Sequence, residues 1–436
     1  MDIVAFASWP SASLTYSLVS KALCRLNCRV VSSLQDVPAD CHLIQWSSYD
    51  EIDHEITNTK LQSSLASSYT FRKALIRKHY LSKCIFAYLK KHPDSVLKNA
   101  WPKSYELEIS FADELDELFA DDLWELAEQL QDQEKWWILK PGMADRGNGI
   151  RLFNDRHRLE SIFSEFDDDD DDDDESDEEM ANPTAVVTSQ LRHFVIQEYL
   201  SSPMLLDPFE KPIGEYSKID KLRGHKFHLR AYCVASGALK VYLYDRFLAL
   251  FSAVPYTRPG NGADSETAEI DLAPHLTNTC LQVADHGEQG VRLFQELVGC
   301  HVLSECGEQT HGILTMEEVS NITDQMVSIL SETFKAAIEN PINFQVLPNA
   351  FELFGVDFLV TLSATGTWQV NLLEVNAEPA IEMTGPRLTW ILEDLFASIA
   401  DVVVAPFCSQ SSSPAEWPVG VTRKNLIKCM ETKVRD

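Results

Sequence analysis

Three oxygen-bearing side chains interrupt two short apolar stretches in the C-terminal part of the sequence. Asp357 lies in the stretch 354–360, and Glu374 and Asn376 lie in the stretch 372–379. Both stretches are typical of buried β-strands, which normally exclude acidic side chains. A strand would place Glu374 and Asn376 on one face, where an aspartate from a neighbouring strand could join them. Such oxygen ligands suit Mg²⁺ together with substrate phosphates, so the pattern predicts the floor of an ATP site.

A β-hairpin with carboxylates that face solvent is the alternative interpretation of these two stretches. Acidic residues are common at exposed strand positions, so the pattern alone does not decide between the two. Further candidate nucleotide-binding residues lie upstream, in an order that suits an ATP site. They favour the metal-site interpretation over the solvent-facing hairpin.

A strand, a glycine-rich loop and a second strand are predicted over residues 137–153. Lys140 ends the first strand, where a lone ammonium usually has an anionic partner. The loop contains Arg146, Gly147 and Gly149, and its backbone N–H groups and guanidinium could contact phosphates. The Asn-Gly pair in the loop is also a strong turn signal, so an ordinary hairpin remains the alternative. The loop lacks the GK[ST] ending of a Walker motif.

The predicted strand 194–200 ends in polar groups flanked by apolar ones, namely Gln197, Glu198, Tyr199 and Leu200. An adenine ring fits such a connector, with apolar side chains on its faces and backbone or amide groups at its edge. The signal is weak when taken singly.

Cationic side chains alternate along another predicted strand. Lys226, His228 and Arg230 would share one face, while the residues between them are apolar. A solvated edge strand is the alternative, since lysines are common there. The opposite face is entirely apolar, which nevertheless indicates that the polar face lines a binding site. In an ATP site, that face would contact phosphate and a carboxylate substrate.

Length and composition indicate a globular protein of two or three packed domains, with 436 residues that are 45% hydrophobic. No apolar run approaches the roughly 18 residues of a transmembrane helix. The apolar N-terminus lacks a basic segment, so a first strand is predicted there rather than a signal peptide. The ten cysteines are scattered without CxxC pairs, which indicates free thiols in a reducing compartment. We therefore predict a cytoplasmic protein.

The net charge of −30 is concentrated in one segment, since residues 165–179 contain 13 acidic side chains. The rest of the chain still carries −17, which argues against DNA or RNA as a main partner. The acidic run repels itself and cannot be buried, so a disordered loop is predicted over 165–181.

In this order, these segments resemble the tubulin–tyrosine ligase and ligase-like family of ATP-grasp enzymes. The similarity runs over roughly residues 70 to 395. The segments that carry it are 71–74, 101–105, 140–150, 197–200, 226–230, 241–244, 275–278 and the set Asp357, Glu374 and Asn376.

The resemblance implies an α+β fold, namely an ATP-grasp fold preceded by a small N-terminal α/β domain. ATP would lie between two subdomains. The implied organisation is an N-terminal α/β domain over 1–68, a central ATP-grasp subdomain over 69–200, a C-terminal ATP-grasp subdomain over 201–400 and a tail over 401–436.

The resemblance also implies an ATP-dependent ligation, in which a protein carboxylate is phosphorylated and the amine of a free amino acid then displaces the phosphate. The acceptor would be tubulin or another protein, with no DNA and no membrane involved. The implied roles are phosphate binding by Lys140, Lys226 and Lys73 together with the loop residues Arg146, Gly147 and Gly149; adenine binding by Gln197, Glu198, Tyr199 and Leu200; further ATP contacts by Thr277 and Asn278; Mg²⁺ binding by Asp357, Glu374 and Asn376; and catalysis by Arg230 with Lys226.

Several positions depart from the family pattern. His228 stands where the family usually has an acidic residue, and Glu198 stands where it has a lysine. Leu250 aligns with an arginine that engages the substrates in tyrosine ligases, and Arg246 could replace that arginine only if the strand bulges. Tyrosine specificity is therefore not implied.

These departures keep two other interpretations open. One is an ATP-binding ATP-grasp interaction module with little catalysis, in a cytoplasmic ribonucleoprotein (P-body-like) assembly. The other is a small-molecule ligase, which fits the Mg²⁺ chemistry but not the order of the motifs.

Overall fold

The computed structural model describes residues 2–109, 111–142, 149–171, 193–212, 222–260, 270–277, 290–304, 310–379, 381–409 and 416–432. Arg146, Gly147, Asn278 and residues 172–181 of the predicted acidic loop lie outside these ranges. Within them, every helix is too short or too polar to cross a membrane.

A four-stranded parallel sheet forms the N-terminal part of the protein. Its elements are β1 Ile3–Phe6, α1 Ser13–Arg25, β2 Arg29–Val31, β3 His42–Gln45, α2 His54–Thr59 and β4 Ser64–Ala66, with strand order β2-β1-β3-β4. Helix α1 buries Leu18, Val19 and Leu23, which are spaced as expected for one apolar helix face. The first strand predicted at the N-terminus and the α/β character expected of this part of the chain are therefore confirmed.

A four-stranded antiparallel sheet follows, with strand order β5-β8-β6-β7. The elements of this part of the chain are α3 Lys73–Ile76, α4 Lys78–Lys91, α5 Leu97–Ala100, β5 Ser104–Glu108, α6 Leu115–Ala120, α7 Trp124–Gln129, β6 Trp137–Pro141, β7 Arg151–Phe153, α8 Arg156–Asp171 and β8 His193–Glu198. Alternate residues of β6 and β8 face a core with α6, α7 and α8, and the residues between them face the other way.

Helix α8 differs from the sequence prediction, because it extends into the segment for which a disordered loop was expected. Residues 165–171 continue the helix. The physical reason lies in the apolar side chains at the start of the acidic run: the ring of Phe163 lies 5.2 Å from that of Phe194, and Phe166 stacks on Phe194 at 6.1 Å. The helix is therefore anchored to the second sheet before the acidic residues accumulate.

The third sheet is the largest and has β10 and β16 at its centre. Its elements are β9 Leu205–Leu206, β10 His225–Ser236, β11 Lys240–Tyr244, β12 Leu248–Phe251, β13 Val291–Leu293, β14 His301–Leu303, β15 Thr310–Ile313, α9 Met316–Ile338, β16 Phe351–Leu362, β17 Trp368–Ala377, α10 Thr389–Ile399, a π-helical turn Ala400–Val404, α11 Ala405–Ser409, β18 Thr422–Arg423 and β19 Leu426–Glu431. Strand β16 pairs antiparallel with both β10 and β17, so the two stretches that contain Asp357 and Glu374 are neighbouring strands, as predicted. Asp357 is buried and does not face solvent, unlike in the alternative interpretation.

The two faces of β10 carry different residues. Phe227, Leu229 and Ala231 are buried in a core with helix α9, as the alternation in the sequence predicts. On the opposite face, Lys226 and His228 line a cavity. A polar strip is thus supported from behind by a rigid apolar layer.

The C-terminal residues differ from the predicted tail. Strand β19 pairs antiparallel with β11, and β18 pairs with β19. Leu426, Cys429 and Met430 of β19 are buried. The segment therefore completes the third sheet, because its apolar residues cover the edge of β11 that would otherwise be open to solvent.

Candidate functional site

The hairpin of β16 and β17 brings Asp357, Glu374 and Asn376 together. Asp357 lies opposite Glu374, and the register shifts immediately after Asp357. Asn376 Nδ2 donates to Asp357 Oδ2 at 3.3 Å and to Glu374 Oε1 at 3.1 Å. Asp357 is buried, so the rigid sheet holds two carboxylates and an amide at one spot.

Arg230 on β10 is the cross-strand neighbour of Asp357. Its Nε and Nη2 atoms both donate to the Asp357 carboxylate, the second at 2.9 Å. Burial would lower the pKa of Arg230, but Asp357 more than compensates and raises it above its usual value. The pair is a bidentate charge-assisted contact of fixed geometry.

Lys78, at the start of α4, reaches the other carboxylate. Its Nζ lies 3.3 Å from Glu374 Oε2. Burial would raise the pKa of Glu374, but Lys78, Lys140 and the hydrogen bond from Asn376 hold it well below its usual value. Glu374 therefore stays ionised and available to a cation.

Lys140, the penultimate residue of β6, lies on the face opposite the core of the second sheet. Its Nζ donates to Gln197 Oε1 at 2.7 Å, and Gln197 Nε2 donates in turn to Ser104 Oγ at 3.1 Å. Burial lowers the pKa of Lys140 to about 8, against the opposing effect of Glu374. The ammonium is held in place by a neutral amide and keeps its capacity to bind an anion.

Lys226 is buried beneath the ring of Tyr199. Its Nζ lies 3.1 Å from the Tyr199 hydroxyl and 4.2 Å from the ring centroid, and the same hydroxyl contacts His275 Nδ1 at 3.0 Å. Burial, and then repulsion from Lys140, lower the pKa of Lys226 to about 7. Burial, and then Lys226, lower the pKa of His275 to about 4, so this ring is neutral.

His228 lies between the lysine and the carboxylates. Its Nδ1 contacts Thr277 Oγ1, while its buried Nε2 has no hydrogen-bond partner among the described residues and lies 3.6 Å from Asp357 Oδ1. Burial lowers the pKa of His228 more than Asp357 raises it. A neutral imidazole therefore presents one free nitrogen to the site.

Several of these side chains line a cavity of about 710 Å³, a volume that includes space open to solvent. The second sheet contributes Ile138, Lys140 and the connector from Gln197 to Leu200, and the third sheet contributes the polar face of β10 and the hairpin. The predicted residues that line it are Lys140, Gln197, Glu198, Tyr199, Leu200, Lys226, Thr277, Asp357 and Glu374. Gly149, with a φ of 70°, directly precedes the lining residue Ile150.

The oxygen set fits a divalent cation. Two carboxylates and one amide meet at a place that is otherwise rich in positive charge, and a rotated Asn376 amide would present its oxygen beside Asp357 and Glu374. Among the described residues, no group of three or more His, Cys, Asp or Glu side chains has metal-binding geometry.

One expected cationic residue and one conditional substitute lie away from the site. Lys73 is exposed and does not line the cavity. The chain is extended at Arg77, between α3 and α4, so the next lysine, Lys78, faces the carboxylates instead. Arg246 does not replace the arginine missing at Leu250: its guanidinium is bonded to Asp394 and Tyr244, while Leu250 is buried opposite His228.

Sequence reasoning did not identify Lys78 or His275 as contacts of the site. In the sequence, Lys78 is one of several basic residues in the segment 72–83, and its role depends on the break before α4. His275 lies outside the regular elements and shows no periodic pattern. The signal available in the sequence is that His275 begins the segment 275–278, one of the segments that match the family.

Comparisons with known proteins identify the family of this chain. The family model described as "Tubulin-tyrosine ligase family" matches residues 58–412. The chain is 36% identical to the probable tubulin–tyrosine ligase PBY1 of Saccharomyces cerevisiae, with 89% of this chain and 49% of that protein covered. It is also 36% identical to the probable tubulin–tyrosine ligase C12B10.04 of Schizosaccharomyces pombe, with 84% of each covered. The chain thus spans about half the length of the S. cerevisiae relative.

A solved structure is similar over nearly the whole chain. It is the C-terminal domain of K. lactis Pby1, an ATP-grasp enzyme interacting with the mRNA decapping enzyme Dcp2. The TM-score is 0.66 at 29% identity, with 99% of each chain covered. The ATP-grasp fold predicted from the sequence is therefore confirmed.

Proposed function

Because this chain belongs to the tubulin–tyrosine ligase family, we propose that it is an ATP- and Mg²⁺-dependent protein–amino acid ligase. It would form a peptide or isopeptide bond on a protein carboxylate through an acyl-phosphate. The observation that carries the proposal is the convergence of Asp357 and Glu374 with Lys140 and Lys226 at one cavity. Asn376 is hydrogen-bonded to both carboxylates.

The binding roles follow from chemistry and position. Bound Mg-ATP would supply the phosphoryl group and a cation that screens its charge during transfer. Asp357, Glu374 and Asn376 would hold the ion, and Lys140 and Lys226 would hold the phosphates. Residues 197–200 would contact the adenine, with Gln197 buried and Tyr199 packed over Lys226. The two subdomains would exclude water from the phosphates between them.

Arg230 is the residue best placed to stabilise the reacting carboxylate. Asp357 orients its guanidinium, and burial strengthens each interaction it makes with an anion. An acyl-phosphate and the tetrahedral intermediate that follows both concentrate negative charge on oxygen. Arg230 would therefore lower the free energy of these states more than that of the bound substrate.

The acceptor is proposed to be a protein. The relatives include a protein named probable alpha-tubulin polyglutamylase, from Tetrahymena thermophila, which is 23% identical over 69% of this chain. Leu250 stands where tyrosine ligases have the arginine that engages their substrates. We therefore do not assign tyrosine as the amino acid. The proposed setting is cytoplasmic, since the K. lactis relative interacts with a decapping enzyme.

A second candidate function is an ATP-binding interaction module with little catalysis, in a cytoplasmic ribonucleoprotein assembly. His228 and Leu250 favour it, because an imidazole and an aliphatic side chain stand where ligases of this family have an acid and an arginine. The association of the K. lactis relative with Dcp2 is a further point in its favour.

One experiment separates the two candidates. ADP release would be measured with Mg-ATP, candidate acceptor proteins including tubulin and each amino acid, for the native chain and for Glu374→Gln. Release that requires both the acceptor and an amino acid, and is lost in the variant, supports the ligase. Tight ATP binding without release under any of these conditions would contradict the ligase and support the module.

A further inference from the structure

A second cavity, as large as the first, lies between the N-terminal sheet and the third sheet. Its volume is about 720 Å³. It is bounded by the carboxyl ends of β1 and β3, by the start of β16 and by the turn that follows β17. The carboxyl edge of a parallel sheet is a common place for ligands in α/β proteins, but nothing in the proposed ligation uses this cavity.

The walls of this cavity are aromatic. Trp46 stacks on Phe396 at 5.9 Å and meets the edge of Phe351 at 5.4 Å, and Trp9 and Tyr49 are further aromatic lining residues. Rings held by such packing present fixed π-faces. One of them already accepts a cation from within the protein, since the guanidinium carbon of Arg72 lies 3.8 Å from the centroid of Tyr49.

The mouth of the cavity is acidic. Glu378 and Glu382 are exposed lining residues, and the described residues that line the cavity include no Lys, Arg or His. The third acid, Glu352, differs from these two because Arg72 compensates its charge at 2.8 Å. Two carboxylates at the rim of an aromatic cavity attract organic cations and repel anions.

A buried polar atom also lines the cavity. Ser47 is 2% exposed, and its Oγ has no hydrogen-bond partner among the described residues. Its backbone is satisfied by Ser67, whose Oγ accepts from the Ser47 N–H at 3.1 Å and donates to the Ser47 carbonyl at 2.9 Å. An unmatched buried hydroxyl costs free energy, and a ligand in the cavity would recover it.

The turn that carries Glu378 is held in an unusual conformation. Glu378 has a φ of 47°, which is rare for a residue other than glycine, and its Oε1 accepts the Tyr49 N–H at 2.7 Å. The next residue, Pro379, is packed so tightly over Gly355 that an added Cβ there would lie 2.7 Å away. The packing therefore fixes one rim carboxylate at the junction of two sheets.

We infer that this cavity is a second binding site, for a guanidinium or ammonium group on an apolar stem, as in arginine or lysine. The charged head would lie between Glu378 and Glu382, and the stem would lie against the aromatic walls. Such a group could come from a free amino acid or from a basic residue of a polypeptide. The acidic tail of a tubulin-like acceptor would be repelled from this cavity.

The test is direct binding to the full chain, measured by calorimetry with four probes. Nα-acetyl-arginine amide and Nα-acetyl-lysine amide represent residues within a polypeptide, free arginine represents the amino acid, and Nα-acetyl-citrulline amide is the neutral control. We expect saturable binding of arginine or lysine probes, with citrulline at least about tenfold weaker. Binding of free arginine alone identifies an amino acid ligand, and binding of the blocked probes identifies a polypeptide.

Variants locate the binding. Glu378→Gln with Glu382→Gln should weaken it about tenfold, and Ser47→Leu should abolish it by filling the cavity. The control Glu393→Gln removes an exposed acid of α10 that pairs with Lys21 outside the cavity, and should change nothing. ADP affinity and melting temperature report whether each variant is folded. Equal binding of citrulline, no loss in the double variant, or no saturation at millimolar concentrations would overturn the inference.

Discussion

Nucleotide affinity should decrease as the pH rises through neutrality, because Lys226 must be protonated to bind phosphate. Burial and Lys140 lower the pKa of Lys226 to about 7 in the nucleotide-free protein. A bound phosphate stabilises the charged ammonium and raises that pKa again, so binding takes up a proton whenever the free protein has lost it. The sign is fixed: affinity is highest below the pKa of the free protein and decreases above it.

The magnitude follows from that pKa. At about pH 8 roughly one tenth of the free protein has a charged Lys226, so binding costs about 1.4 kcal/mol more than at about pH 6. Affinity should therefore be about tenfold lower, with an uptake of nearly one proton per nucleotide. Lys140, with a pKa of about 8, adds a further decrease at higher pH.

Calorimetry of ADP binding, in buffers with different ionisation enthalpies, measures both the affinity and the protons taken up. The matched control is Lys226→Arg, which keeps its charge over the whole range. ADP itself also changes protonation with pH. The ratio of the native affinity to the Lys226→Arg affinity therefore isolates the contribution of Lys226 to the pH dependence. A ratio that does not change with pH would refute the assignment of Lys226 as a buried phosphate ligand.

Three other outcomes are expected. Lys226→Met should stabilise the nucleotide-free protein near neutral pH by at least about 1 kcal/mol in denaturant unfolding while nucleotide binding is lost, because it removes the burial penalty on the charged form. The free-energy penalty of burying the charged Lys226 should disappear as the pH approaches about 10.4, the pKa of lysine in the unfolded state. A Lys226→Met variant that is less stable than the native protein near neutral pH would contradict this reasoning. Gly355→Ala should cost about 1–3 kcal/mol in thermal unfolding, because the new Cβ would lie 2.7 Å from Pro379; no loss would mean that the turn adjusts freely. Arg230→Lys should reduce ligation at least about 100-fold and change ADP affinity less than about tenfold, because one ammonium cannot reproduce the bidentate contact with Asp357. An equal loss of both would assign Arg230 to nucleotide binding instead.

The sequence predicted the parts of the site that depend on regular strands. The alternation around Lys226 and Arg230 identified the polar face of β10, because side chains alternate strictly along a strand. The same rule placed Glu374 and Asn376 together and allowed Asp357 to join them. In each case a period of two residues decides which side chains meet.

Other features depended on irregular backbone or distant packing. The break at Arg77 decides that Lys78 rather than Lys73 reaches Glu374, and a helical pattern continued through this break does not reveal it. His275 is positioned by its contact with Tyr199, which lies far from it in the sequence. Strand β19 joins the third sheet by pairing with β11, which lies far from it in the sequence, so its short apolar run was not distinguishable from a tail.

The most direct measurement is a crystal structure of the chain with Mg²⁺ and a non-hydrolysable ATP analogue. We predict one divalent ion bound by Asp357, Glu374 and Asn376, with the phosphates against Lys140 and Lys226. A nucleotide bound elsewhere, or an ion that does not contact these three side chains, would contradict it.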